Sequence, residues 1–315
     1  MAPFRSPAQF PELPELPERQ RGRGPEPASA GERLPEPIRA LLAGIGVSPG
    51  ALRPTRRLGP RRPVHRLIGG GVVIEVAAAS ELGRLRLRRE VWGRQWAQGI
   101  GVATVPVLGS DPAGDWLVSE WWEPSAPAGD AFLDDAVATA LRIATAAPPP
   151  AGPPPNTWAS PRRSAPIRLA RGLLGGVPTR LWWAARQAAA ALPTTPVAHG
   201  DFYHRNALWC PERGGVQVVD WEYLGPGLRH GDLLRLWSLL PARADREALL
   251  ARILNLVPGP QHPDVGTLAV YLALRLLGEN VKGARRDRHP ADLAHARAVQ
   301  PEARALARDL GGWPR

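Results

Sequence analysis

The sequence predicts an α+β chain, with a small β-rich first half and a larger, mainly helical second half. Three patterns carry this reading. Short runs rich in β-branched residues, bounded by Gly and Pro, crowd the stretch from 64 to 121. Helical spacing of apolar residues sets in at Ser80 and dominates from 131 onward. One β-rich island, Val197 to Tyr223, interrupts the later helices.

Residues 1–37 hold nine prolines among Glu and Arg and few large apolar side chains. Such a segment cannot bury enough surface to offset its ordering entropy, so it reads as a disordered tail. A short helix follows across Ile38–Ile45, then strand-like pieces at Thr55–Leu58, Val64–Ile68 and Val72–Ala77, the last two joined as a hairpin by Gly69-Gly70-Gly71. Ser80–Gln98 is helical, with Leu82, Leu85, Trp92 and Trp96 on one side. Strands are expected at Ala103–Leu108 and Asp115–Trp121, which completes a small sheet with one helix. Beyond Glu123-Pro124 the pattern predicts helices at Ala131–Ala146, Ile167–Leu174, Thr179–Ala191, Asp232–Leu240, Arg246–Leu256, Val265–Leu277 and Ala291–Leu310, with a proline-rich linker at Pro148–Pro155. The divisions are a tail at 1–37, a first lobe at 38–122 and a second at 123–315.

The chain has 315 residues and a formal charge of +11, and of its 40 Lys and Arg residues only Lys282 is a lysine. No nucleic-acid motif accompanies the charge, so we read it as compositional bias, with Arg filling ordinary surface-cation positions, rather than as nucleic-acid binding. Cys210 is the only cysteine, which excludes an internal disulfide or a Cys-rich zinc cluster and fits a reducing compartment. No basic head followed by an apolar run opens the sequence, and no apolar stretch escapes interruption by charge or proline. The expectation is a soluble, cytoplasmic protein without membrane partners; no oligomeric state is encoded visibly.

Chemistry concentrates in the island. It reads His199-Gly200-Asp201-Phe202-Tyr203-His204-Arg205-Asn206, a turn through Pro211–Gly215, then Val218-Val219-Asp220-Trp221-Glu222. A hairpin would bring Asp201, Asn206 and Asp220 together. Two carboxylates and an amide oxygen are hard ligands that suit Mg²⁺, which keeps water and phosphate oxygens in its remaining positions. A carboxylate beside them can accept a proton from a substrate hydroxyl. That combination is half of a phosphoryl-transfer site.

The loop from His199 to Asn206 resembles the HGDxxxxN catalytic loop of aminoglycoside phosphotransferases, choline kinases and their relatives. Asp220-Trp221-Glu222 resembles the metal-binding DxE segment that follows it, and Asp232-Leu233-Leu234-Arg235-Leu236 the DLA-type segment, whose aspartate is structural. The resemblance implies a bilobal protein-kinase-like fold over about residues 40 to 310 and transfer of a phosphoryl group from ATP or GTP, with Mg²⁺, to a hydroxyl of a small molecule. Asp201 would then orient or deprotonate the hydroxyl, with His199 buttressing the loop. Asn206 and Asp220 would hold the metal. Glu222 would assist there or only hydrogen-bond nearby, and Arg205 would touch a phosphate or stand in solvent. The hinge between the lobes falls at Val118–Pro124. There backbone groups around Glu120, Trp121 and Trp122 would read the purine edge, and the two Trp rings would stack on the base or pack at the junction.

In one respect the sequence departs from the family. Its third strand carries a lysine that contacts the nucleotide phosphates and pairs with a helix glutamate. Here Glu75 stands at that position and Glu90 at the partner's. Two facing carboxylates would replace attraction by a repulsion of roughly 4 kcal/mol at 4 Å and an effective dielectric near 20. The loop Leu58–Pro63, with one glycine and two prolines, is also unlike a flexible phosphate-covering loop. Two readings follow. In one, an arginine replaces the lysine, Arg66 on the neighbouring strand being first in line, then Arg57 or the Arg84–Arg89 cluster. In the other, the chain is a pseudokinase-like binding protein with nucleotide binding weakened or lost. The Arg excess between Ile167 and Ala191 points away from a polycationic acceptor and toward a neutral or anionic hydroxyl compound.

Overall fold

A computed structural model describes residues 34–54, 64–78, 80–152, 176–287 and 290–312 of the chain. Helix α1 (Glu36–Gly44) has a proline in its first turn, where a missing N–H is no loss. Its Ile38 and Leu42 are fully buried, as is Leu34 just ahead of it. Residues 34–37 therefore belong to the fold rather than to a tail, because Leu34 and Ile38 help close one face of the sheet that follows. The rest of that expected tail, the strand at Thr55–Leu58, the loop Leu58–Pro63 with Arg57, and the helix at Ile167–Leu174 lie outside the described residues.

Five strands form an antiparallel sheet in the order β1-β2-β3-β5-β4: β1 (Arg53–Pro54), β2 (Val64–Gly69), β3 (Val72–Ala77), β4 (Val107–Ser110) and β5 (Trp116–Glu120). The turn at Gly70-Gly71, both at positive φ, sets the β2/β3 register and places Arg66 directly opposite Glu75. Alternation then sorts the faces. Leu67, Val72, Ile74 and Val118 turn toward α1, while Arg66, Ile68, Val73 and Glu75 line a cleft on the other side.

Helix α2 (Glu81–Gly99) starts at Ser80, whose hydroxyl accepts the Gly83 amide at 3.2 Å. It backs the cleft face of the sheet, where Arg94 reaches Ser119 of β5. The strand expected from Ala103 begins only at Val107. Residues 103–105 instead run along the second lobe: Val218 N donates to Ala103 O at 2.9 Å and Thr104 bridges to Val218 in parallel, which makes this stretch a joint between lobes.

The second lobe comprises α3 (Asp130–Thr145), α4 (Thr179–Ala191), α5 (Gly231–Leu239), α6 (Arg243–Leu256), α7 (His262–Asp287) and α8 (Pro290–Asp309). Two small two-stranded sheets sit among them, β6 (Thr194–Ala198) with β9 (Gly225–Leu228) and β7 (Ala207–Cys210) with β8 (Gly215–Val218). Phe132, Trp182, Phe202, Trp221, Leu236, Ile253 and Leu272 share one large core, so the loop and turn of interest grow from its edge. Of the tryptophan pair at 182–183, Trp182 is core and Trp183 is exposed. Among the described residues no helix is long and apolar enough to cross a membrane.

Candidate active site

The cleft between the lobes encloses about 530 Å³. Its apolar part is lined by Ile68 and Val73 of the sheet, Val105 at the joint, and Leu208 and Val219 from the β7/β8 side, a slot suited to a flat ring. Glu120, Trp121 and Trp122 border it. Trp121 N donates to Gly71 O at 2.8 Å, and the Trp122 ring is held between Glu120, which accepts its Nε1–H at 2.7 Å, and Arg213, 4.7 Å from the ring centre.

The loop from β6 to β7 carries the next group. Gly200 has φ +84° and passes so near Tyr223 that an added Cβ would lie 2.9 Å from its Cβ and carbonyl oxygen, so only glycine fits. Asp232, at the start of α5, accepts the amides of His199 at 2.7 Å and Gly200 at 2.9 Å. Burial pushes its carboxyl up, against the opposing pull of His199 and those amides. His199 is fully buried. Its Nε2 sits 3.1 Å from Val219 O, its Nδ1 accepts the Asp201 amide at 3.3 Å, and its ring meets Trp221 edge-on at 4.7 Å. A ring so enclosed buttresses the loop and is not itself a group that a substrate touches.

Asp201 lies beside Asn206 and within electrostatic reach of Asp220, behind the residues that line the cleft, with its two oxygens used differently. Oδ1 accepts from Arg235 Nε at 3.2 Å and Nη2 at 3.1 Å, while Oδ2 faces Asn206 Nδ2 at 3.3 Å. The same Nδ2 donates to Asp201 O at 2.9 Å, which leaves the Asn206 amide oxygen as an acceptor.

Asp220, at the end of β8, is one of two non-glycine residues at positive φ among those described. Its amide donates to Glu90 Oε1 at 3.0 Å, and Trp221 N donates to Glu90 Oε2. Burial, then the charges of Glu90, Glu222 and Asp201, push the Asp220 carboxyl well above the usual range, with Arg66 opposing. Oxygen donors crowded in this way are what a divalent cation relieves. Asp220 and Asn206 thus suit a hard ion that keeps water or phosphate in its other positions. Among the described residues, no three His, Cys, Asp or Glu side chains gather into a closed metal cluster.

Glu75 and Glu90 do not oppose one another as expected, because each has its own arginine. Arg66 donates to Glu75 Oε1 from Nε at 3.0 Å and Nη2 at 2.6 Å. Burial pushes the Glu75 carboxyl up, but Arg66 by charge and hydrogen bond, with Arg94, brings it below the ordinary value. Glu90 accepts Arg94 Nε at 2.7 Å, and Arg94 Nη1 goes on to Ser119 Oγ at 2.8 Å and Val105 O at 3.1 Å. The repulsion argued from the sequence is therefore absent, and Glu90 holds the Asp220 turn instead of an ammonium. Glu222 lies 2.9 Å from Arg86 Nε, and Arg205 lies 3.4 Å from Asp292 at the cleft rim.

Sequence reasoning missed Arg94 and Arg235, and it offered the Arg84–Arg89 cluster only as a stand-in for the lysine, whereas Arg86 faces Glu222 and Arg89 holds backbone. Arg89 is buried and donates to Glu222 O at 2.6 Å and Leu224 O at 2.8 Å. α2 approaches this turn so closely that a Cβ on Gly93 would stand 2.4 Å from Trp221 Cβ. For Arg94 the available signal was the density of Arg along α2, and for Arg235 its place in the segment that follows Asp232.

A β-sheet lobe backed by one helix, a helical lobe, and a carboxylate loop and turn facing the cleft between them define a protein-kinase-like phosphotransferase. The match to the family model of the APH phosphotransferase enzymes runs over residues 73–265, more than half of the chain, and the chain belongs to that family. It is a small-molecule kinase in kind. The fold is similar to a choline/ethanolamine kinase family protein from Mesorhizobium loti (19% identity, 88% of this chain and 98% of that one, TM-score 0.51). It is also similar to the microcompartment-associated aminopropanol kinase (16%, 88% and 99%, TM-score 0.57). A third likeness is to an amicoumacin kinase in complex with AMP-PNP, Ca²⁺ and Ami (10%, 86% and 95%, TM-score 0.56). A search of curated protein sequences finds no match.

Proposed function

We propose that this chain transfers the γ-phosphoryl group of ATP or GTP to a hydroxyl of a neutral or anionic small molecule, with Mg²⁺ held by Asn206 and Asp220. The observation that carries the reading is the meeting of Asp201, Asn206 and Asp220 beneath a cleft whose other wall offers Arg66. The apolar slot takes the base, and backbone groups near Glu120 and Trp122 take its edge. The ion, when bound, neutralises charge on the transferring phosphoryl group. Asp201 accepts the hydroxyl proton at Oδ2, the oxygen that Arg235 leaves free. Asn206 keeps the loop in place through Asp201 O.

Arg66 takes the part that lysine has elsewhere in the family. It is half exposed at 48%, unlike Glu75 at 10%, so its outer face meets phosphate while Glu75 orients it from beneath. That a kinase of the same fold is seen with AMP-PNP and Ca²⁺ supports a nucleotide and a divalent cation in this cleft. On the acceptor side, Glu279 is already shared by Arg235 at 3.0 Å and Arg275 at 2.7 Å, and Asp292 faces Arg205. With those carboxylates neutralised, a polycation finds little to hold it.

Calorimetry with ATP and GTP, with and without Mg²⁺, tests the reading. Metal-dependent binding that vanishes in Asp220→Asn supports it, and no binding at millimolar nucleotide refutes it. The binding-only alternative rests on Glu75 occupying Arg66. A large gain in ATP affinity on Glu75→Lys would favour that alternative, since a working Arg66 leaves little to gain.

A further inference from the structure

The least expected group near Asp201 is Arg235, one turn into α5. Its side chain is 9% exposed, and a single Nη2 bridges Asp201 Oδ1 at 3.1 Å and Glu279 Oε2 of α7 at 3.0 Å. Glu279 in turn accepts Arg275 Nε at 2.7 Å on the same helix. The remaining nitrogen of Arg235, Nη1, is buried and has no hydrogen-bond partner. Burying a guanidinium with one nitrogen unsatisfied is costly, and an apolar side chain would fill this edge of the core at less cost. The arrangement is explained if the charge is needed where it stands.

We propose that Arg235 is a positioning residue for phosphoryl transfer: it clamps Oδ1 of Asp201 and thereby turns Oδ2 to the acceptor hydroxyl, with Glu279 and Arg275 fixing the clamp to α7. The inference rests on the reading of Asp201 as the group that receives the hydroxyl proton. A carboxylate held at Oδ1 by both Nε and Nη2, with Oδ2 accepting Asn206 Nδ2 at 3.3 Å on one side, has lost rotation about its last torsion. An acceptor hydroxyl then meets an oriented oxygen rather than one that must be frozen during the reaction. The clamp does not touch the nucleotide, since Arg235 is turned to Asp201 and Glu279 and takes no part in lining the cleft that holds Arg66 and the apolar slot. It should therefore act on turnover and leave nucleotide affinity alone.

Four variants of the full chain separate the possibilities: Arg235→Met, Arg235→Lys, Glu279→Gln and Asp201→Asn. Each is measured for MgATP hydrolysis with water as acceptor, for MgATP affinity by calorimetry, and for the Asp201 side-chain conformation by crystallography. The expected result is a loss of turnover of about 100-fold or more in Arg235→Met, with affinity within about twofold of wild type and the Asp201 carboxylate rotated. Arg235→Lys should regain about tenfold, and Glu279→Gln should lose less than Arg235→Met. Wild-type turnover in Arg235→Met beside an inactive Asp201→Asn overturns this inference alone. Wild-type turnover in Asp201→Asn overturns the Asp201 reading, and this inference with it. An unrotated Asp201 in Arg235→Met refutes the clamp whatever the rates. Loss of affinity together with turnover, without rescue by lysine, assigns Arg235 a structural part only.

Discussion

The two walls of the cleft each hold an arginine against a carboxylate, and they hold it in opposite ways. On the sheet wall Arg66 is 48% exposed and its partner Glu75 is 10% exposed, so the cation is the outer member. On the helical wall Arg235 is 9% exposed and Asp201 18%, so the carboxylate is the outer member and the cation is buried behind it. A charge that faces the cleft can meet a ligand, while one buried behind a partner can only orient that partner. An arginine–carboxylate pair thus presents positive charge where phosphates are expected and negative charge where a hydroxyl is expected.

Breaking each wall should give losses of different kind and size. Asp201→Asn removes the outer carboxylate and is expected to lower turnover by about 10²–10⁴-fold with nucleotide affinity nearly unchanged, as checked by steady-state kinetics once an acceptor is in hand. At the back of the cleft, Arg94→Met leaves Glu90 buried without its cation. Thermal or denaturant unfolding should show about 3–5 kcal/mol less stability, because the pair is only 5% and 7% exposed. Arg66→Met should weaken ATP binding by about 10–100-fold, the worth of a charged phosphate contact of about 1.5–3 kcal/mol, and should also lower the unfolding midpoint, because it leaves the buried Glu75 carboxylate without the two hydrogen bonds of Arg66. An Arg66→Met variant that binds ATP like wild type would end the contrast between the walls. Smallest is Arg84→Ala, which breaks an exposed, solvent-screened pair with Asp115 and should leave the unfolding midpoint nearly unchanged.

What the sequence made legible follows from the range of each interaction. Arg66 and Glu75 could be placed together because three glycines fix a tight hairpin, and the pairing depends only on counting back from the turn. The loop from His199 to Asn206 was legible as a local motif with its residues seven apart at most. Arg235 was not, because its contact with Asp201 requires α5 to dock beneath a loop 34 residues earlier. Nor was the work of Glu90, whose partners Asp220 and Trp221 lie 130 and 131 residues away and offer backbone amides that no side-chain pattern reveals. The joint at 103–105 was misread as strand because β-branched residues score alike whether they pair within a sheet or across to the other lobe.

Helix α2 is fastened on both sides. Arg94 ties it to β5 and to Val105, while Arg89 and Glu90 tie it to the backbone of the 220–224 turn, and Gly93 removes the side chain that would hold the two apart. Mechanically, the rear of the cleft is a weld. The two lobes are thus joined at the rear by bonds that α2 makes to each of them, so a change in cleft width there has to break several hydrogen bonds at once.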